Sequence, residues 1–169
     1  RSRDGGEDAE AQAIVAQCRE PAGGADPGKL APAVRKLWMR WELRASERTA
    51  AVKAATPAHY GLMPASISHE GYSAKPMHSY WDDFWALRGF KDAAAMAAIL
   101  GESAQCERIT ALCDDFRSTL YASLDLVIQE RGLDFVPGSV EFADFDPSAT
   151  AIAITVADEL HHLPRPALD

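Results

Sequence analysis

The sequence has few cysteines and no long apolar run, and each shortage excludes a class of protein. Its cysteines are Cys18, Cys106 and Cys113, an odd set without the paired spacings of a disulfide framework. Cys106 and Cys113 lie about two turns apart on a predicted helix, too far apart to bond, which favours buried apolar side chains. No apolar stretch approaches the ~20 residues of a membrane-spanning helix. We therefore expect neither a disulfide-stapled protein nor a membrane protein.

Positive charge and cofactor motifs are also scarce. The 17 Lys and Arg residues face 25 Asp and Glu residues, for a net charge of −8, whereas a nucleic-acid partner requires clustered Lys and Arg. The sequence has no phosphate-binding glycine loop, nucleophile elbow or H-E-x-x-H motif. His161 and His162 have no cysteine or carboxylate at metal-ligand spacing. These absences predict no nucleic-acid partner, no cofactor and no metal.

The first ten residues are polar, and neither an initiating Met nor an apolar signal segment is present. We interpret the chain as an excerpt or a processed form, which leaves the cellular compartment open. Its 169 residues amount to about one domain, with enough chain to bury a core.

Helical periodicity dominates what is present. The predicted parts are a helix and loop over 1–28, a long helix over 29–57, a loop over 58–78, a helical hairpin over 79–132, and a loop and C-terminal helix over 133–169. Within 29–57 the helix should run from Pro32 to Ala55, with Thr56-Pro57 ending it. Its apolar stripe consists of Val34, Leu37, Trp38 and Trp41.

The hairpin has the clearest start and stop signals. Ser79, followed by Asp82 three residues later, predicts a capped helix start, and Gly101 predicts its end. Ser103 should begin the second helix and Gly132 should end it, so the short connection forces antiparallel packing. The predicted buried faces are Ala93, Met96, Ala97 and Leu100 on the first helix, and Ile109, Leu112, Cys113, Phe116, Leu120 and Leu124 on the second.

The last part contains the one plausible β segment. Residues 133–145 are either a short strand or an ordered loop, and Asp146-Pro147 predicts a helix start with Asp as N-cap. The predicted stripe of this helix is Ala149, Ile152, Ala153, Val156 and Leu160. The fold class is therefore mainly α, built from antiparallel helical hairpins with at most a short β segment.

Residues 61–88 concentrate aromatic, acidic and basic side chains. A loop as long as 58–78 is uncommon in a compact domain unless it has a function. Aromatic faces stack on sugar rings, charged groups bond to vicinal hydroxyls, and a pair of carboxylic acids cleaves glycosidic bonds. The mixture predicts a carbohydrate site where the loop enters the helix.

The run from Ser79 to Trp85 resembles the Phe-Trp-Asp-Thr-Glu type motif of maltose and trehalose phosphorylases, members of the six-hairpin glycosidase-like superfamily. The resemblance implies an (α/α) barrel, of which this chain would supply two or three hairpins, and a carbohydrate-active parent protein of the glycoside hydrolase type. It assigns sugar contact to Trp81 and Asp82. The chain has Asp83 and Phe84 where the motif has Thr and Glu. Exposed helix faces would then favour self-association.

Our candidate residues fall into two groups. The catalytic candidates are Glu70, Asp82 and Asp83, and the substrate-binding candidates are His69, Tyr72, Lys75, His78, Tyr80, Trp81 and Trp85. Several have a structural alternative. Asp82 and Asp83 also suit a helix N-terminus, and the two indoles, four residues apart, also suit a core. A non-catalytic helical module that binds a glycan or a protein is the competing interpretation.

Overall fold

The computed structural model describes residues 47–67 and 74–164, all within one of the two units of the chain, Leu43–Asp169. The described residues are mainly helical, as predicted, and contain isolated β-bridges but no sheet. The helices are α1 (Ala50–Ala55), α2 (Tyr80–Ile99), α3 (Ser103–Arg131) and α4 (Pro147–Thr155), with a 3-10 helix at Pro57–His59. No described helix is long and apolar enough to cross a membrane.

Helices α2 and α3 form the predicted antiparallel hairpin. Tyr80, at the start of α2, bonds through its hydroxyl to Ser123, late in α3. Phe90, in the middle of α2, contacts the ring of Phe116, which lies before Ser123 in α3. The two helices therefore run in opposite directions. The turn between the helices contains Gly101 at φ +74°, and Gly132 ends α3 at φ +63°. Glycine reaches these left-handed conformations without the steric cost of a Cβ.

The hairpin core confirms the predicted face of α3 but corrects that of α2. Ile109 and Leu112 are half-buried, and the other four predicted α3 residues are buried. On α2, Met96 and Leu100 are 39% and 44% exposed. Ala97 is buried as predicted, and in place of Met96 and Leu100 the helix buries Tyr80, Phe84, Leu87 and Phe90. The larger side chains in the first half of α2 remove more apolar surface from water than the alanine-rich second half.

The predicted capping at Ser79 is wrong in its chemistry, although Ser79 is the N-cap residue of α2. Its side chain makes no capping bond, and its buried Oγ has no hydrogen-bond partner. The Asp82 carboxylate instead accepts a bond from the Ser66 hydroxyl at 2.7 Å. The Asp82 carboxylate, which the capping pattern would use locally, is therefore bonded to Ser66 of the preceding loop instead.

The predicted long helix is not continuous over its described part. Thr49 is extended, with ψ 153°, and its side chain accepts a bond from the Val52 amide, so α1 begins only at Ala50. Thr56 and Pro57 end α1 as predicted, and Pro57 opens the 3-10 helix. The stripe at residues 34–41 lies outside the described residues.

Around the hairpin, short extended segments and α4 complete the packing. Ser66 pairs with Met77, and Ser79 pairs with Ser139. The predicted β segment at 133–145 contributes isolated bridges rather than a strand. Asp146 caps α4 by accepting from the Ser148 amide, as predicted. Helix α4 packs on α2, burying Ala149 and Ala153, but Leu160 of its predicted stripe is 42% exposed. Cys106 and Cys113 are free thiols.

Candidate functional site

The start of α2 presents two indoles on one face. Trp81 and Trp85 are four residues apart and contact each other edge to face, with ring centroids 5.8 Å apart. Trp81 is half-buried and Trp85 is 42% exposed, so neither indole lies in a dry core. The pair forms an aromatic surface that water reaches at one end of the helix. We call Trp81, Trp85 and the adjoining Asp82 the tryptophan face.

The two carboxylates of the first turn hold the preceding loop against α2. Asp82, half-buried, accepts the hydroxyl of Ser66, and Asp83, 1% exposed, accepts the backbone amide of Met63 at 2.9 Å. Both acids also lie where the helix N-terminus favours negative charge. In the described contacts, Asp83 anchors the loop, and Asp82 lies closer to solvent.

The remaining predicted site residues are dispersed. Tyr80 is fully buried and hydrogen-bonded to Ser123, and its pKa is raised, first by burial. Lys75 lies over the exposed ring of Phe142, with Nζ 5.3 Å from the ring centroid. His69, Glu70 and Tyr72 lie outside the described residues.

His78 belongs to a second group, which sequence reasoning did not assemble. Its Nδ1 lies 2.8 Å from Oε1 of Glu141, its Nε2 lies 3.7 Å from Oε2 of Glu47, and its ring stacks on that of His59. The stacked rings have centroids 4.1 Å apart and are 12° from parallel. We call His59, His78, Glu141 and Glu47 the histidine cluster.

Three chain segments position His59, His78 and Glu141 of the histidine cluster. His59 ends the 3-10 helix, which is tied to α3 by the bond from the Ser123 hydroxyl to the Ala58 carbonyl. His78 lies in the extended segment before α2, where its carbonyl accepts from the Val140 amide. The His78 amide donates to the Glu141 carboxylate at 3.1 Å. Backbone and ring of His78 therefore both contact Glu141.

The electrostatics of the histidine cluster differ between its two rings. Burial, and then the charge of His78, lower the pKa of His59. Burial also acts to lower the pKa of His78, but the hydrogen bond and charge of Glu141, with Glu47, outweigh it and raise that pKa. Burial acts to raise the pKa of Glu141, yet the bonds from His78 lower it overall. The two carboxylates thus favour a positive charge at His78.

A third polar group surrounds Glu159, which is fully buried. Lys91 and Arg117 form ion pairs with its carboxylate, and the Tyr121 hydroxyl donates to Oε2 at 3.1 Å. We call Glu159, Lys91, Arg117 and Tyr121 the Glu159 cluster. An open hollow of about 480 Å³ lies beside it, lined by Asp114, Arg117, Ser118, Tyr121, Asp125, His162 and Pro164. None of our predicted site residues lines this hollow.

The residues that sequence reasoning missed had no local signal. His59 and Glu141 come from segments far from His78 along the chain, and Glu141 is 63 residues after His78. Glu159 follows a helix whose pattern predicts only an apolar buried stripe. Each became visible only where tertiary folding brought its partners together.

Comparisons of the chain with protein-family models, with curated proteins and with solved structures found no match.

Proposed function

We propose that the tryptophan face binds a carbohydrate, and that the chain is part of a carbohydrate-active protein of the glycoside hydrolase type. The observation that carries the proposal is the pair of partly exposed indoles of Trp81 and Trp85, in the helix turn that also contains Asp82. Indole faces stack on the apolar faces of sugar rings, and a neighbouring carboxylate accepts bonds from the ring hydroxyls.

The contacts of the acids support binding more directly than catalysis. Asp83 is buried and bonded to the Met63 amide, so it is suited to holding the loop. Hydrolysis needs two carboxyl groups on opposite sides of the scissile bond. Asp82 is the described candidate for one of them, and Glu70, outside the described residues, is our candidate for the other. An arrangement into an (α/α) toroid belongs to this proposal as well.

The binding proposal is tested by titrating the chain with neutral oligosaccharides of the malto-, cello- and xylo- series. Intrinsic tryptophan fluorescence and calorimetry provide independent readouts. We expect saturable binding of at least one series, weakened about 10-fold or more by Trp81→Ala, because stacked aromatic residues dominate such contacts. Met96→Ala, an exposed residue further along α2, is the matched control and should bind as the wild type does. Equal affinities of Trp81→Ala and Met96→Ala, or no binding of any series, would contradict the proposal.

The catalytic part has a separate test. If the protein hydrolyses a glycoside, Glu70→Gln should abolish hydrolysis while sugar binding survives, because the amide keeps the shape of the acid but cannot act as a general acid or base. Unchanged turnover would remove Glu70 from the reaction. Sugar binding without any turnover by the wild type would instead favour the competing interpretation, a non-catalytic glycan-binding module.

A further inference from the structure

We propose that His59, His78 and Glu141 form a binding site for one divalent transition-metal ion of the Zn²⁺ class. One ligand atom from each of these residues lies within 4.8 Å of the other two. The proposal does not depend on the carbohydrate proposal, and its tests use different residues.

The donor set has the right chemistry for such an ion. Imidazole nitrogen and carboxylate oxygen together are typical ligands of zinc and its neighbours, whereas Mg²⁺ and Ca²⁺ prefer oxygen alone. Two histidines and one carboxylate also leave a fourth position open, the arrangement of catalytic rather than structural zinc sites.

The distances fit an ion after small side-chain movements. Ligand atoms of a tetrahedral zinc site lie roughly 3.3 Å apart, given bonds of about 2.0–2.1 Å. Here His78 Nδ1 and His59 Nε2 lie 2.8 and 3.8 Å from Oε1 of Glu141, on either side of that value. Because the two rings stack nearly parallel, His59 must turn to point its lone pair at the ion. Its side chain is 22% exposed, which gives the ring space to turn.

A buried nitrogen of His78 that lacks a hydrogen bond provides further support. His78 is 8% exposed, and its Nε2 is buried without a hydrogen-bond partner. A neutral ring that donates from Nδ1 to Glu141 leaves Nε2 as an acceptor facing the Glu47 carboxylate, another acceptor. When an ion binds Nδ1, the single ring proton of the neutral imidazole moves from Nδ1 to Nε2, and the ring stays neutral. That proton then points toward Glu47.

The resulting arrangement is a carboxylate–histidine–metal relay, in which an outer carboxylate orients a ligating ring. Glu47 would be a positioning residue, since it acts through His78. A structural His78–Glu141 hydrogen bond without metal affinity is the rival explanation.

The experiment begins with chain stripped by a chelator and titrated with ZnCl₂ and CoCl₂. We expect one equivalent of either ion to bind, a Co²⁺ visible spectrum typical of nitrogen and oxygen ligands, and a higher melting temperature with metal. His59→Gln and Glu141→Gln should weaken Zn²⁺ binding by about 100-fold, and Glu47→Gln by about 10-fold. The His59 side chain is more exposed than that of His78, so His59→Gln should disturb folding less than a change at His78.

Matched controls separate this site from adventitious binding. His162→Gln changes a histidine that is 54% exposed and pairs with Glu159, so its Zn²⁺ affinity should equal that of the wild type. Cys106→Ser removes a free thiol as a competing ligand and should also leave the affinity unchanged. Absence of stoichiometric binding would overturn the proposal. So would equal Zn²⁺ affinities of folded His59→Gln and His162→Gln proteins.

Discussion

The Glu159 cluster and the histidine cluster both contain buried ionisable groups. Only in the Glu159 cluster does every described buried side-chain N or O atom have a hydrogen-bond partner. The Glu159 carboxylate receives bonds from Arg117 and Tyr121 and an ion pair from Lys91. In the histidine cluster the buried Nε2 of His78 has no hydrogen-bond partner. Because an unsatisfied buried polar atom costs about 1–3 kcal/mol, a fold retains one where something else is gained. The comparison supports a structural role for the first cluster and agrees with the metal proposal for the second.

The two clusters also differ in their scaffold. Lys91 and Arg117 project from the long helices α2 and α3 onto Glu159. His59, His78 and Glu141 instead lie in a 3-10 helix, an extended segment and a turn. Rigid helices suit a permanent ion pair, whereas loop segments held by a few backbone bonds suit a site that adjusts around a ligand.

The largest effect should come from breaking the loop scaffold at Gly61. Gly61 has φ +79°, and an added Cβ would lie 2.7 Å from Cβ of Thr119 on α3. Gly61→Ala should lose about 1–2 kcal/mol to the left-handed conformation and about 1–3 kcal/mol to overpacking. Gly101→Ala is the control, because Gly101 has φ +74° but open space around it. Urea unfolding measures both, and equal losses would show that the Thr119 contact is unimportant.

The next largest effect should come from removing the charge of Glu159. Glu159→Gln should destabilise the fold by about 3 kcal/mol, because breaking a buried ion pair leaves its partners uncompensated. The value lies at the lower end of the usual range since Lys91 and Arg117 retain 26% and 23% side-chain exposure. Asp114→Asn removes the exposed partner of Arg117 and should cost below about 1 kcal/mol. A loss for Glu159→Gln no larger than for Asp114→Asn would end the structural assignment of this cluster.

The smallest effect concerns pH. Burial acts to raise the pKa of Glu159, but Arg117 and Lys91 lower it below its ordinary value of 4.5. A carboxylate with a lowered folded-state pKa contributes stability above its unfolded pKa, and the contribution is lost as pH falls through the folded value. Between pH 7 and pH 3 the wild type should therefore lose more unfolding free energy than Glu159→Gln. Parallel pH curves for the two proteins would contradict the direction of this pKa shift.

Much of the fold was predictable because its signals are local. Gly101, Gly132 and Asp146-Pro147 mark helix ends through backbone geometry and capping, which depend on neighbouring residues alone. The buried face of α2 could not be predicted in this way, because Met96 and Phe90 are both apolar residues. Which of them is buried depends on where α3 and α4 pack.

The candidate sites divide in the same way. The pairing of Trp81 with Trp85 follows from their spacing on one helix, so the sequence by itself determined it. The meeting of His59, His78 and Glu141, and the burial of Glu159 among its cations, were decided only by the tertiary structure. Helical periodicity, turns and caps involve residues a few positions apart. Contacts between distant segments depend instead on how whole helices and loops pack, and no local pattern records that.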